Sequence, residues 1–223
     1  MVRAFVGSGG KTTLIRKQAR QYRKEGKRVF VTTSTHMFIE KDTLLTDDAD
    51  AIIRQLTQTG YVMAGLPEGE KIRALSPDTY ARVCAQADVV LIEADGANRR
   101  AVKFPRDTEP VIYDNVEQIV IVCGLHALGK PLGEAAHRPE LVMQCLGVSG
   151  DTPITLEHIA RLVLQGYLRP LQRRYPDVSV SVYPAGGTDE DVRRLFALLQ
   201  QEQTQTPCRS ISENPKNWQE SER

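Results

Sequence analysis

The stretch Val2-Arg-Ala-Phe-Val-Gly-Ser-Gly-Gly-Lys-Thr-Thr13 decides how the rest of the chain is read. A short apolar run leads into Gly7, Gly9 and Gly10, then Lys11, Thr12 and Thr13, and then a helical pattern. Strand, glycine loop and helix in that order make a phosphate-binding loop. Glycines carry no Cβ, so the amides of Gly7, Ser8, Gly9 and Gly10 can curl round a phosphate, and the next helix turns its positive end to the same anion. Lys11 then reaches the β- and γ-phosphates as a solvent-facing group, the Thr12 hydroxyl ligates Mg²⁺, and Thr13 adds a second hydroxyl. The common G-x-x-x-x-G-K-[ST] form wants glycine where Phe5 stands, so this is a shortened loop, closer to those of amino-acid-adding ATP ligases than to the common kinase loop.

The 223 residues suffice for one α/β domain, and 41% hydrophobic with 26% charged residues is an ordinary globular balance. A net charge of +1 without a basic stripe interleaved with aromatics argues against a nucleic-acid partner. Cys84, Cys123, Cys145 and Cys208 lack any C-x-x-C spacing, which excludes a zinc ribbon or disulfide framework, and the first three read as buried thiols. The chain enters the glycine loop with no room for a signal peptide, and no apolar run approaches the roughly 18 residues of a membrane helix. A cytoplasmic protein without membrane association is expected.

Outward from the loop, 12–25 reads as a helix ending at Gly26, and 27–33 as a second strand ending in Thr32-Thr-Ser-Thr-His36. Hydroxyls at a strand's C-terminal end lie where open α/β sheets bind ligands, so Thr33 and Thr35 are expected to face a γ-phosphate. Helices follow over 47–58 and from Ser76, with Pro77 in its first turn, to 87; 61–66 is a strand and 66–69 a turn. Alternating strands and helices imply parallel pairing.

A second informative stretch is Ala87-Asp-Val-Val-Leu-Ile-Glu-Ala-Asp-Gly-Ala97. Val89 to Ile92 read as a strand buried on both faces, and Glu93 and Asp95 share one side of it if the extended geometry continues. This is where a phosphate-loop fold keeps the acid that holds the metal's shell, so Glu93 joins Thr12 as a metal ligand and Asp95 orients water. Arg99, Arg100 and Lys103 follow; Arg100 and Lys103 are candidates for phosphate or an anionic substrate, as His137 or Arg138 are at the start of a helix that His137-Arg-Pro-Glu140 opens and that runs through Leu146. Beyond lie a strand over 117–123, helices over 152–165 and 168–175 separated by Gly166, a strand over 178–183 and a closing helix over 189–203. The fold expected is a three-layer α/β domain of the phosphate-loop NTPase type with a mostly parallel central sheet over residues 1–204. Residues 205–223 read as a polar, disordered tail.

With Gly7-Ser-Gly-Gly-Lys-Thr-Thr13, Thr32-Thr-Ser-Thr35, Glu93-Ala-Asp-Gly-Ala97, Glu109-Pro110, Gly124-Leu125, Gly129-Lys-Pro-Leu132 and His137-Arg-Pro139 in this order, the chain resembles the YqeC family over roughly residues 2 to 200. That family is described as accessory proteins for selenium-dependent molybdenum hydroxylases. The resemblance implies a nucleotide-dependent step in maturing a selenium-containing molybdenum cofactor, with a molybdenum or selenium species and the hydroxylase as partners. Three activities stay open: a Mg²⁺-dependent ATPase or GTPase with Lys11, Glu93 and Asp95 as catalytic residues; an ATP-dependent ligase or kinase acting on a small molecule; and a nucleotide-gated binding module without appreciable hydrolysis.

Overall fold

Strand signals dominate the first half of the chain, and in the computed structural model, which describes residues 1–204, they build a mostly parallel sheet in an α/β fold. The described chain divides into two units: Met1–Val6, Lys11–Gly96 and Thr108–Glu117 form the first, and Gly7–Gly10, Ala97–Asp107 and the chain from Gln118 the second. The tail expected over 205–223, with Cys208, lies outside the described residues. Among the described residues no helix is long and apolar enough to cross a membrane.

In the first unit the strands are β1 (Val2–Gly7), β2 (Val29–Thr33), β3 (His36–Phe38), β4 (Thr43–Leu45), β5 (Tyr61–Glu68), β6 (Lys71–Arg73) and β7 (Val89–Glu93). They lie in the order β1-β7-β2-β5-β6-β3, with β4 against β5. β7 pairs in parallel with both β1 and β2, through Phe5↔Glu93 and Thr33↔Glu93, so three strands end together around Glu93. Being hydrogen-bonded on both sides and covered on both faces explains why Val89 to Ile92 are apolar without alternation. The expectation of parallel pairing fails at β5-β6-β3, which are antiparallel. Gly69, at φ 60, lets β5 turn back directly into β6, and a connection that short cannot make a parallel crossover.

Helix α1 (Lys11–Lys24) buries Leu14, Ile15 and Ala19, each aliphatic side chain of Leu or Ile size contributing about 1.5–3 kcal/mol. α2 (Ala49–Thr59) starts at Asp48, whose carboxylate accepts from the Asp50 and Ala51 amides, and stops at left-handed Gly60. α3 (Pro77–Cys84) is capped by Ser76 as the sequence predicts, but ends three residues earlier than expected. Its Tyr80 hydroxyl donates to Asn115 Oδ1 at 2.9 Å and its ring packs 4.4 Å from Tyr113. These contacts, with Val111 N donating to Ala94 O at 3.1 Å and Glu117 N to Val2 O at 3.0 Å, fasten the Thr108–Glu117 segment to the first unit.

The second unit holds β8 (Val102–Lys103), β9 (Gln118–Gly124), β10 (Ala136–His137) and β11 (Ser179–Ala185), with β11 parallel to β9 and β10 parallel to β8. Its helices are α4 (Leu132–Ala135), α5 (Pro139–Leu146), α6 (Leu156–Val163), α7 (Arg169–Arg174) and α8 (Asp189–Thr204). Gly166 does not separate two helices as expected. A π-helical turn, Leu164–Leu168, joins α6 to α7, and Gly166 faces Pro105 and Phe104 so closely that an added Cβ would lie 2.8 Å from Pro105 Cδ. Thr155 caps α6 in a capping box with His158.

Candidate functional site

The glycine loop adopts a conformation that other residues resist: φ is +89° at Gly7 and +76° at Gly9. An added Cβ at Gly9 would stand 2.6 Å from both Ala101 O and Gly124 Cα. The Ser8 amide, expected to meet phosphate, donates instead to Val122 O at 2.9 Å, and the Ser8 hydroxyl to Ala101 O at 3.1 Å. Ser8 is therefore an anchor of the loop. The Gly9 and Gly10 amides have no acceptor among the described residues. Beneath the loop lies a cavity of about 20 Å³, room for one water, with Gly7, Ser8, Lys103, Cys123 and Tyr167 among its lining.

α1 starts at Lys11 with no acidic residue in its first turn, so no carboxylate of that turn competes with an external anion for the positive end of the helix. Lys11 is not solvent-facing: its side chain is 4% exposed, with Nζ 3.1 Å from Asp95 Oδ1 and 3.9 Å from Glu93 Oε1. Asp95 is fully buried. Thr12 Oγ1 donates to Glu93 Oε2 at 2.9 Å. Pairing of β1 with β7 at Phe5↔Glu93 brings these residues together, because the helix after β1 then begins beside the end of β7. Burial alone would lower the Lys11 pKa; Asp95, Glu93 and then Glu109 outweigh it and hold the ammonium above its ordinary value of 10.5. Glu109 was legible in the sequence only as part of Glu109-Pro110, with nothing marking it as a site residue.

The oxygen donors of Thr12 and Glu93 suit a divalent, oxygen-preferring cation. Among the described residues no group of three or more His, Cys, Asp or Glu side chains is arranged to hold a metal by itself. Mg²⁺, however, takes one or two protein oxygens and completes its shell with water and phosphate. The Thr12 hydroxyl and the Glu93 carboxylate, 2.9 Å apart, are two oxygens of the kind that ion takes. Thr12 and Glu93 thus fit the ion.

The hydroxyls after β2 are differently engaged. Thr32 donates to Ala64 O at 2.9 Å, Thr33 to Glu93 O at 2.7 Å, and Ser34 to Val111 O at 2.6 Å. The Thr33 oxygen also accepts from the Thr35 amide. Thr35 Oγ1 is buried without a hydrogen-bond partner among the described residues. Thr13 is exposed on α1. Arg100 and Lys103 belong to the second unit: the Arg100 guanidinium donates to the Glu134 carbonyl, and Lys103 is buried on β8, paired in register with His137. Arg138 takes a left-handed conformation, φ 56°, before Pro139. Of the thiols expected to be buried, Cys123 is, and burial pushes its pKa up to about 12. Cys84 and Cys145 are only half-buried, because each sits near a helix end rather than inside a strand.

A profile of the YqeC protein family matches residues 3–140, more than half the chain. The chain belongs to the YqeC family. The match spans the glycine loop, Lys11, Glu93, Asp95 and Glu109, so the whole buried cluster lies in the family-defining part. A relative from Escherichia coli (strain K12), uncharacterized protein YqeC, is 29% identical over 169 residues, covering 72% of this chain and 66% of the relative. The chain thus spans slightly less than two thirds of that YqeC protein.

Proposed function

We propose that the protein binds a nucleoside triphosphate, ATP or GTP, with Mg²⁺ and hydrolyses it, on a three-layer domain of the phosphate-loop NTPase type. The observation that carries this reading is the buried Lys11–Asp95–Glu93–Thr12 cluster at the start of the helix that follows the glycine loop. The Gly9 and Gly10 amides and the first turn of α1, continuous in the chain, bind the phosphates. Lys11 exchanges its carboxylate partners for phosphate oxygens, which match their charge. Thr12 and Glu93 would hold the ion, which would supply positive charge beside the phosphate oxygens. Asp95, released from Lys11, orients the attacking water. Family membership supports placing this step in the maturation of a selenium-containing molybdenum hydroxylase cofactor.

The test is a thermal-shift panel of ATP, GTP and CTP with and without Mg²⁺, followed by phosphate release. A ligand at 100 times its Kd adds about 2.7 kcal/mol, and a chain of this size shifts by about 2–4 °C per kcal/mol, so about 5–11 °C is expected. No shift with any triphosphate refutes the reading. Turnover that strictly needs a small-molecule acceptor makes the protein a ligase or kinase, and binding without turnover makes it a gated module.

A further inference from the structure

At the other end of α1 lies a basic cleft that the nucleotide reading does not use. It has a volume of about 440 Å³ and is lined by Arg20, Arg23, Lys24, Gly26, Lys27, Thr59 and Gly60, all in the first unit. Arg20, Arg23 and Lys24 stand at i, i+3 and i+4 near the end of α1, which puts them on one helical face, and Lys27 follows beyond the helix end. All four are exposed. From Lys11 to Arg28 the chain has eight basic residues (Lys11, Arg16, Lys17, Arg20, Arg23, Lys24, Lys27, Arg28) and one acidic residue, Glu25. That is 8 − 1 = +7 in a chain of net +1, so the rest carries −6 and the charge is polarised towards this element.

Elsewhere on this element cations have local partners. Arg16 pairs with Glu40 at 2.7 Å and Arg28 with Asp88 at 3.2 Å. Arg23 donates to Thr59 O and lies 5.2 Å over the Tyr61 ring. Arg20, Lys24 and Lys27 have no ion pair among the described residues. Nor do they serve as caps for the helix end, because the Glu25, Gly26 and Lys27 amides already donate to the carbonyls of Gln21, Arg23 and Tyr22.

We infer that this cleft docks an acidic segment of a partner protein. The chemistry of the lining separates this occupant from others. The floor offers no directed amides, since Gly26 and Lys27 are engaged as above and the Gly60 amide donates to Leu56 O at 2.9 Å, so a small phosphate ligand finds no cradle. No aromatic ring is open for base stacking, because Arg23 covers Tyr61 and Tyr22 is half-buried. The large exposed apolar residues described are Leu45 and Val111, neither in the cleft, so nothing here inserts into a membrane. What remains is two guanidinium forks and two ammonium groups on exposed stems, suited to carboxylates. The helical part of the row, Arg20 to Lys24, is about 6 Å long, the length of about two extended residues.

The experiment measures anisotropy of a labelled ten-residue Glu/Asp peptide against the full chain and its R20E/K24E variant, with melting curves for both. The wild type should bind, more weakly as salt rises, and the variant should bind about tenfold or more weakly at unchanged melting temperature. The charge-preserving R20K/K24R variant should retain binding. Equal binding by the charge-reversed variant, or none by the wild type at about 50 mM salt, overturns the inference. So does tighter capture of a single-stranded oligonucleotide or of phosphatidylserine vesicles through the same side chains. The readout needs no nucleotide, so it stands or falls apart from the triphosphate reading.

Discussion

Replacing Lys11 by methionine tests the buried cluster as structure and as machinery together. The substitution keeps much of the volume and removes the ammonium that stands 3.1 Å from Asp95 and 3.9 Å from Glu93. At an effective dielectric constant of about 20, the contacts at 3.1 and 3.9 Å are worth about 5 and about 4 kcal/mol of gross attraction. Desolvation of the ammonium offsets part of this, and breaking a buried pair from one side costs about 3–5 kcal/mol because a buried carboxylate loses that counter-charge. Lys11→Met should therefore lower the melting temperature by about 6–20 °C as well as abolish nucleotide-induced stabilisation. Adding Asp95→Asn removes the stranded charge, so the double variant should regain more than half of the lost stability while still failing to bind nucleotide.

The pH arm has a definite sign. Lys11 has its folded pKa raised above 10.5, so its contribution is fully present below that value and is lost as pH rises through the folded value. The stability gap between wild type and Lys11→Met should be flat at neutral pH and close above about pH 10.5. Denaturant unfolding followed by circular dichroism gives both quantities. A Lys11→Met protein within about 1 kcal/mol of wild type at pH 7, or an Asp95→Asn change that adds to the damage, would refute the buried-pair argument.

Four other outcomes are expected. Glu93→Gln should keep triphosphate binding but weaken its Mg²⁺ dependence, read by thermal shift across a Mg²⁺ titration; if Asp95→Asn does this and Glu93→Gln does not, the two acids have exchanged roles. Gly9→Ala should cost nucleotide binding, because φ +76° and a Cβ 2.6 Å from Ala101 O force the loop to shift; unchanged affinity by calorimetry would show that the loop tolerates the shift. Thr33→Val leaves the Glu93 carbonyl and the Thr35 amide without the hydroxyl, so it should destabilise by about 1–3 kcal/mol and raise amide exchange over residues 33–35. Equal exchange over residues 30–40 with triphosphate analogue and diphosphate would make this segment a plain structural turn. Native Cys123 should resist alkylation at pH 8, since burial keeps its thiol neutral, and labelling at the rate of the unfolded chain would contradict its placement.

Local chemistry was enough for much of this protein. The apolar run into Gly7, the cap at Ser76 before Pro77 and the unbroken Val89–Ile92 strand are set by backbone sterics and nearest-neighbour hydrogen bonds, so the sequence determined that the chain alternates strand and helix and that a glycine loop precedes Lys11. The stretch from β3 to β6 was harder to read, because three-residue strands carry too few side chains for a period to show. Gly166 read as a break because a lone glycine weakens a helix, but Phe104 and Pro105, some sixty residues earlier in the chain, decide that only glycine fits there.

Only the tertiary structure decided what the site residues touch. Sequence named Lys11, Glu93 and Asp95, but their ion pairing depends on strand register, since Glu93 meets the start of α1 because β1 and β7 run parallel at Phe5↔Glu93. Register likewise placed the Thr33 hydroxyl on the Glu93 carbonyl, and the tying of Val111 to Ala94 and Ser34 brought Glu109 within electrostatic reach of Lys11. Spacing along a chain carries information about neighbours within a helical turn or a strand pair. Charges that meet from residues 11, 93, 95 and 109 do so through a sheet whose hydrogen bonds are between backbones, which leave no mark on the identity of the side chains they align.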